Sequence, residues 1–112
     1  MNEHVLQLAT EPFDAISSGK KTIESRLFDD KRKSINLGDT IIFINRENSS
    51  LNIRVKVIGL LRYETFWSLF THNRLAKFGN EKLDQLLIQI NKFYSDEEQQ
   101  QYGVVGIEFE LV

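Results

Sequence analysis

At 112 residues, 41% hydrophobic and 27% charged, the chain has apolar side chains for one packed core and too little length for a second, so a single domain over residues 1–112 is expected. The lack of cysteine excludes disulfides, thiolate metal sites, a cysteine nucleophile and thiol redox chemistry, and a reducing, cytoplasmic setting is the expectation. The net charge of −2 hides a segregation: residues 19–33 set Lys20, Lys21, Arg26, Lys31, Arg32 and Lys33 against Glu24, Asp29 and Asp30, whereas residues 79–112 carry seven acids against Lys82 and Lys92.

In chain order, Val5, Leu6 and Leu8 suit a strand over residues 4–9, and Glu11-Pro12-Phe13 opens a short helix, since proline is tolerated in a first turn. Phe13 and Ile16, with Ala15, form the apolar face of that helix, and Gly19 stands where a left-handed C-terminal cap is wanted. Residues 22–26 read as a strand with Ile23 and Ser25 on one face and Thr22, Glu24 and Arg26 on the other. Residues 28–34 read as a charged, irregular loop, and Asn36-Leu37-Gly38-Asp39 as a turn.

Strands at 40–45 and 51–62 form a hairpin across a turn at 46–50, with Gly59 marking a bulge. Helices follow, from the cluster Phe66, Trp67, Leu69 and Phe70, expected in the core, and from the i, i+3, i+4, i+7 spacing of Leu83, Leu86, Leu87 and Ile90. Ser95 with Glu98 is a capping box for a short acidic helix, and residues 104–111 are the final strand. The pattern predicts an α+β fold, a small mixed β-barrel with flanking helices. No apolar run approaches the ~20 residues of a bilayer span and residues 2–9 lack the build of a secretory leader, so no membrane association is expected.

His4 and His72 lack ligand-spaced partners, the serines lie in no nucleophile elbow, and the glycines form neither a Walker loop nor a dinucleotide fingerprint, so no metal or cofactor is expected. What remains is the segment from Gly19 to Arg26. On an extended strand Thr22, Glu24 and Arg26 repeat about 7 Å apart on one face, so one small ligand could meet a hydroxyl, a carboxylate and a guanidinium, with Lys20 and Lys21 in the turn before them. The plainer reading is a solvated face with a Glu24–Arg26 ion pair. Lys31 and Arg32 suit a phosphate or an exposed loop, and Arg62 with Tyr63 could stack on and pair with a base and its phosphate. Tyr94 and Tyr102 flank the acidic helix and could line a cleft.

The chain resembles the activating signal cointegrator homology (ASCH) domain, a branch of the PUA-like fold, over nearly its whole length. The resemblance rests on Glu11-Pro12-Phe13 to Ile16, on Ser18-Gly19-Lys20-Lys21-Thr22-Ile23-Glu24 with Arg26-Leu27, on Asp30-Lys31-Arg32 with Ile35, and on Gly38-Asp39. It continues in Tyr94-Ser95 with Glu97-Glu98-Gln99, and in Tyr102-Gly103-Val104-Val105-Gly106-Ile107. It implies a β-barrel whose cleft against the helices is lined by the Gly-x-Lys-Thr segment, and a role in binding RNA, a nucleotide or a nucleoside-like ligand.

Some small bacterial members of the family resemble amidohydrolases of acylated cytidines that use a lysine, a threonine three residues later and a downstream glutamate. Lys21 matches the lysine, but Glu24 stands in place of the threonine and only Glu64 can be noted for the downstream acid, so that activity is not carried over. Two functions stand: a binding module whose ligand meets Lys20, Lys21, Thr22, Glu24, Arg26, Lys31, Arg32, Arg62, Tyr63 and Tyr94, or a metal-independent hydrolase of RNA or a modified nucleoside with Lys21 and Glu24 as acid and base. With a pI near 5.7, any nucleic-acid site must be a local basic cleft. Lys21, Glu24 and Arg26 are expected to share one cleft with Arg62 nearby. A carboxylate beside Lys21 keeps a low pKa, which favours binding.

Overall fold

The computed structural model describes residues 2–112. Strand β1 (Glu3–Leu8) leads into helix α1 (Thr10–Ser17), strand β2 (Ile23–Leu27), a single helical turn α2 (Asp30–Lys33), and strands β3 (Thr40–Asn45) and β4 (Asn52–Tyr63). Helix α3 (Phe66–Thr71), a 3-10 turn (Leu75–Phe78), and helices α4 (Leu83–Asn91) and α5 (Asp96–Tyr102) precede strand β5 (Val104–Leu111). The result is a mixed α+β fold in which a five-stranded sheet, ordered β1-β3-β4-β5-β2, curls into a half-barrel with helices on its flanks.

Local chemistry sets the connections. The β3–β4 hairpin is antiparallel, and Asn45 at its root turns its side-chain oxygen onto the backbone N–H groups of Glu47 (2.8 Å) and Asn48 (3.2 Å), which fixes the chain reversal. In β4 the register with β5 slips between Val57 and Gly59, the expected bulge. Buried Asp39 closes the turn before β3 by accepting from the N–H groups of Asn36 (3.0 Å) and Asn2 (3.2 Å) and bonding the His4 ring (2.8 Å). The capping box of Ser95 and Glu98 starts α5, and Gly19 follows α1 with φ +82°.

Period-2 alternation sends the strands' apolar residues to two cores on opposite faces. Leu6, Ile41, Phe43, Val55, Val57, Val105, Ile107 and Phe109 fill the curl with Phe13 and Ile16 of α1, while Ile23, Leu27 and Val104 meet Phe66, Leu69, Phe70, Phe78 and Leu86 under the helices. Gly106 lets α3 approach: a Cβ there would lie 2.9 Å from Leu69 Cδ1 and 3.1 Å from Ile23 Cγ2.

Three expectations change. Residues 28–34 are not wholly irregular, because Asp29 caps Arg32 N and pairs with its guanidinium (2.7 Å), so a run that reads as scattered charge closes one helical turn. Trp67 is 56% exposed rather than core, since the short α3 turns only Phe66, Leu69 and Phe70 inward. The second strand starts at Ile23, because the Thr22 N–H is taken by the carbonyl of Lys77 (2.9 Å). Among the described residues no helix is long and apolar enough to cross a membrane.

Candidate functional site

Strand β2 is an edge of the sheet, and its register decides where its charges go. Glu24 pairs with Ile107 and Arg26 with Val105, so both project on the same face as those core residues, into the curl of the half-barrel. Neutral residues would be ordinary at such positions; charges there must be compensated. Glu24 is 5% exposed, and each of its oxygens meets a cation: Lys21 Nζ at 2.7 Å and Arg26 Nε at 2.6 Å. Burial alone would push this carboxyl up, but the two neighbouring cations and their hydrogen bonds outweigh it and hold the pKa at about 2. For Arg26 burial acts downward, and Glu24 with the Tyr94 hydroxyl reverses it, leaving the guanidinium above its usual value.

Arg26 has donors to spare, and its Nη2 reaches across the open side of the curl to the backbone carbonyl of Gln7 in β1 (2.9 Å). Lys21 is positioned by backbone on both sides. Its N–H donates to Ala15 O at the end of α1 (3.0 Å), and Thr22 N is tied to the 3-10 turn. Gly79, with φ +94°, lies against the lysine stem: a Cβ there would stand 3.4 Å from Lys21 Cβ.

These groups floor a cavity of about 450 Å³ at the seam between β1 with α1 and β2, walled by α4 and the segment after it. Its lining mixes apolar surface (Leu8, Pro12, Phe70, Phe78, Leu86, Ile90) with Lys21, Glu24, Ser25, Arg26 and half-buried Tyr94, and solvent-exposed Gln7, Glu11, Arg46, Lys92 and Phe93 form its mouth. The volume lies within the range of small-molecule sites, about 300–1,000 Å³, and an apolar shell with a few convergent polar groups is their usual composition.

Of the residues singled out from sequence, Lys21, Glu24, Arg26 and Tyr94 meet here. Lys20 is exposed, and neither it nor half-buried Thr22 lines the cavity. Lys31 and Arg32 belong to α2, with Arg32 spent on Asp29. Arg62 is not in the shared cleft. It stands opposite Val105 as Arg26 does, but from the other side, two strand spacings or roughly 10 Å away, with its guanidinium over the Phe28 ring at 4.0 Å. Arg62 and Tyr63, with Glu64 and Tyr102, line a second, more open depression of about 840 Å³, so Glu64 is apart from Lys21.

Sequence reasoning missed Gln7, Arg46, Lys92 and Phe93. Arg46 sits in a turn and Lys92-Phe93 just past a helix, positions where a charge or an aromatic carries no periodic signal.

Comparison with known proteins agrees with this architecture. A family model described as the ASCH domain matches residues 6–112. The crystal structure of the hypothetical protein PH0355 is 33% identical with a TM-score of 0.86, over 100% of both chains. The solution structure of protein PF0455 from Pyrococcus furiosus is 31% identical with a TM-score of 0.76, over 100% of this chain and 98% of that one. The ASCH domain from Lactobacillus crispatus shares the fold at 13% identity and a TM-score of 0.66, over 98% of this chain and 79% of the other. A search of curated proteins finds no match.

Proposed function

The chain belongs to the ASCH domain family, and on that premise we propose that its charged cavity binds a nucleotide or a nucleotide-sized piece of RNA. The observation that carries this reading is the buried Glu24 with a cation on each oxygen (2.7 and 2.6 Å). Such a carboxylate is a fixed, ionised acceptor, and Lys21 and Arg26 keep unused donors beside it. Together they match the alternating donors and acceptors of a base edge. The size of the cavity suits one nucleotide, whereas grooves that track single strands serve about 4–16 nucleotides.

Hydrolysis of RNA or of a modified nucleoside asks Glu24 to accept a proton near neutral pH, and a carboxyl at about 2 is a poor base there. This is why binding ranks first.

The test is a panel of nucleosides, nucleotides and short RNAs, read by thermal shift, calorimetry and product formation. Nucleotide-sized ligands are expected to raise Tm, and Lys21→Ala to weaken their binding roughly tenfold or more through loss of a charge-assisted contact. A panel in which nothing binds overturns the proposal. Turnover that disappears in Glu24→Gln while the ligand still binds transfers the protein to the hydrolases.

A further inference from the structure

The mouth of the cavity differs from its floor in one respect: its cations are unspent. Lys21 and Arg26 are committed to Glu24, but Arg46 and Lys92, which also line the cavity, have no carboxylate within 4.0 Å among the described residues. They come from different walls. Arg46 follows β3 and is held by its N–H on the carbonyl of Leu8 (2.7 Å), and Lys92 is the C-terminal cap of α4. Among the described residues Glu11, on the α1 side, is the only carboxylate of the lining besides Glu24, so cations outnumber acids there.

Between Lys92 and Tyr94 stands Phe93, 62% exposed yet on the cavity lining, with its N–H fixed on the carbonyl of Ile90 (3.1 Å) and its ring 6.5 Å from that of Tyr94. An exposed phenyl ring on the wall of a polar-floored cavity is a flat surface that a ligand ring can cover.

We propose that Phe93 stacks the ligand's base while Arg46 and Lys92 hold its phosphate, so that the ligand is a nucleoside phosphomonoester, as a free mononucleotide or as the phosphorylated end of an RNA. The assignment rests on the nucleotide reading above and narrows it. A phosphomonoester carries close to two negative charges at neutral pH, and two cations from separate walls meet that charge at the mouth while the base edge reaches Glu24.

The test uses the full chain and calorimetry with a nucleoside, its 5′-monophosphate, inorganic phosphate, and one trinucleotide with and without a 5′-phosphate. It compares wild type with Arg46→Ala/Lys92→Ala and with Phe93→Ala, surface changes whose folding is checked by Tm without ligand. The monophosphate is expected to bind at least tenfold tighter than the nucleoside, an advantage that shrinks at 200 mM salt and collapses in the double variant. Phe93→Ala is expected to weaken nucleoside and monophosphate alike, by roughly tenfold. A phosphorylated trinucleotide that binds like the monophosphate identifies the RNA end as a source; monophosphate binding alone identifies the free nucleotide. Equal affinity for nucleoside and monophosphate overturns this proposal and leaves the nucleotide reading standing. So does a phosphate preference that survives in the double variant, whereas a wild type that binds no probe removes both.

Discussion

Arg26 Nη2 donates to the backbone carbonyl of Gln7 at 2.9 Å, joining β2 to β1 across the side of the sheet where no strand ladder connects them. The same guanidinium holds Glu24 through Nε, so one side chain both neutralises the buried carboxylate and staples the two edge strands. The candidate site and the closure of the half-barrel are therefore the same piece of chemistry.

Replacing Arg26 tests that double role. Arg26→Ala leaves Glu24 with Lys21 alone and opens the seam, and breaking a buried pair from one side costs about 3–5 kcal/mol. Arg26→Lys keeps the charge without the planar fork that reaches two acceptors, and is expected to fall between wild type and Ala in urea unfolding. An Ala variant within 1 kcal/mol of wild type would show that the bridge carries no weight.

Acid unfolding should report Glu24. Its folded pKa of about 2 lies below the ordinary 4.5, so its stabilising contribution is complete above pH 4.5 and is lost as the pH falls from there towards 2. The shift corresponds to a contribution on the order of 3 kcal/mol. Glu24→Gln is expected to be less stable at pH 7 but to lose less on acidification. Asp39, whose carboxyl is lowered by the His4 hydrogen bond and by the N–H groups of Asn36 and Asn2, titrates in the same sense and accounts for part of what remains. Parallel urea midpoints for the two proteins from pH 7 to 2.5 would contradict the assignment.

Gly106→Ala places a methyl 2.9 Å from Leu69 Cδ1, and overpacking of this kind costs about 1–3 kcal/mol. Because the clash is with Leu69, Leu69→Ala is expected to cost less in the Gly106→Ala background than in wild type. A double-mutant cycle measures the difference; strict additivity would place the strain elsewhere.

Gln99, 6% exposed on α5, accepts the N–H of Phe66 at the start of α3 (3.0 Å). Gln99→Leu leaves that donor buried without its partner, at about 1–3 kcal/mol. Hydrogen exchange at the Phe66 amide is expected to speed up by more than the global loss of stability explains; a rate tracking global unfolding alone would count against a specific role.

Much of the fold was legible because β-branched alternation and turn residues are local signals: residues 40–45 match β3, and 104–111 match β5. Parity also placed Glu24 and Arg26 together. It did not tell which side of the sheet they face, because that depends on the pairing of β2 with β5, a partner remote in sequence. The same remoteness hid the separation of Arg62, which Val105 divides from Arg26, and the gathering of Arg46, Lys92 and Phe93 at one mouth. The α2 turn was missed for a local reason: the capping carboxylate of Asp29 is masked by the charge run that follows it.

The strand order has a consequence for how the protein is made. β5 lies between β4 and β2 and ladders onto both, yet it is synthesised after either of them. As the chain leaves the ribosome, the β3–β4 hairpin is the one ladder that can form between sequence neighbours, and β1 can join β3 once the intervening loop is closed. β2 has no partner until Val104 and the residues after it emerge. Until then Ile23 and Leu27 lack the strand they ladder onto, and the nascent chain carries the exposed edges that chaperones bind. Committed folding of the half-barrel therefore waits for β5, and assembly by such distant pairings is slow for a chain of this size.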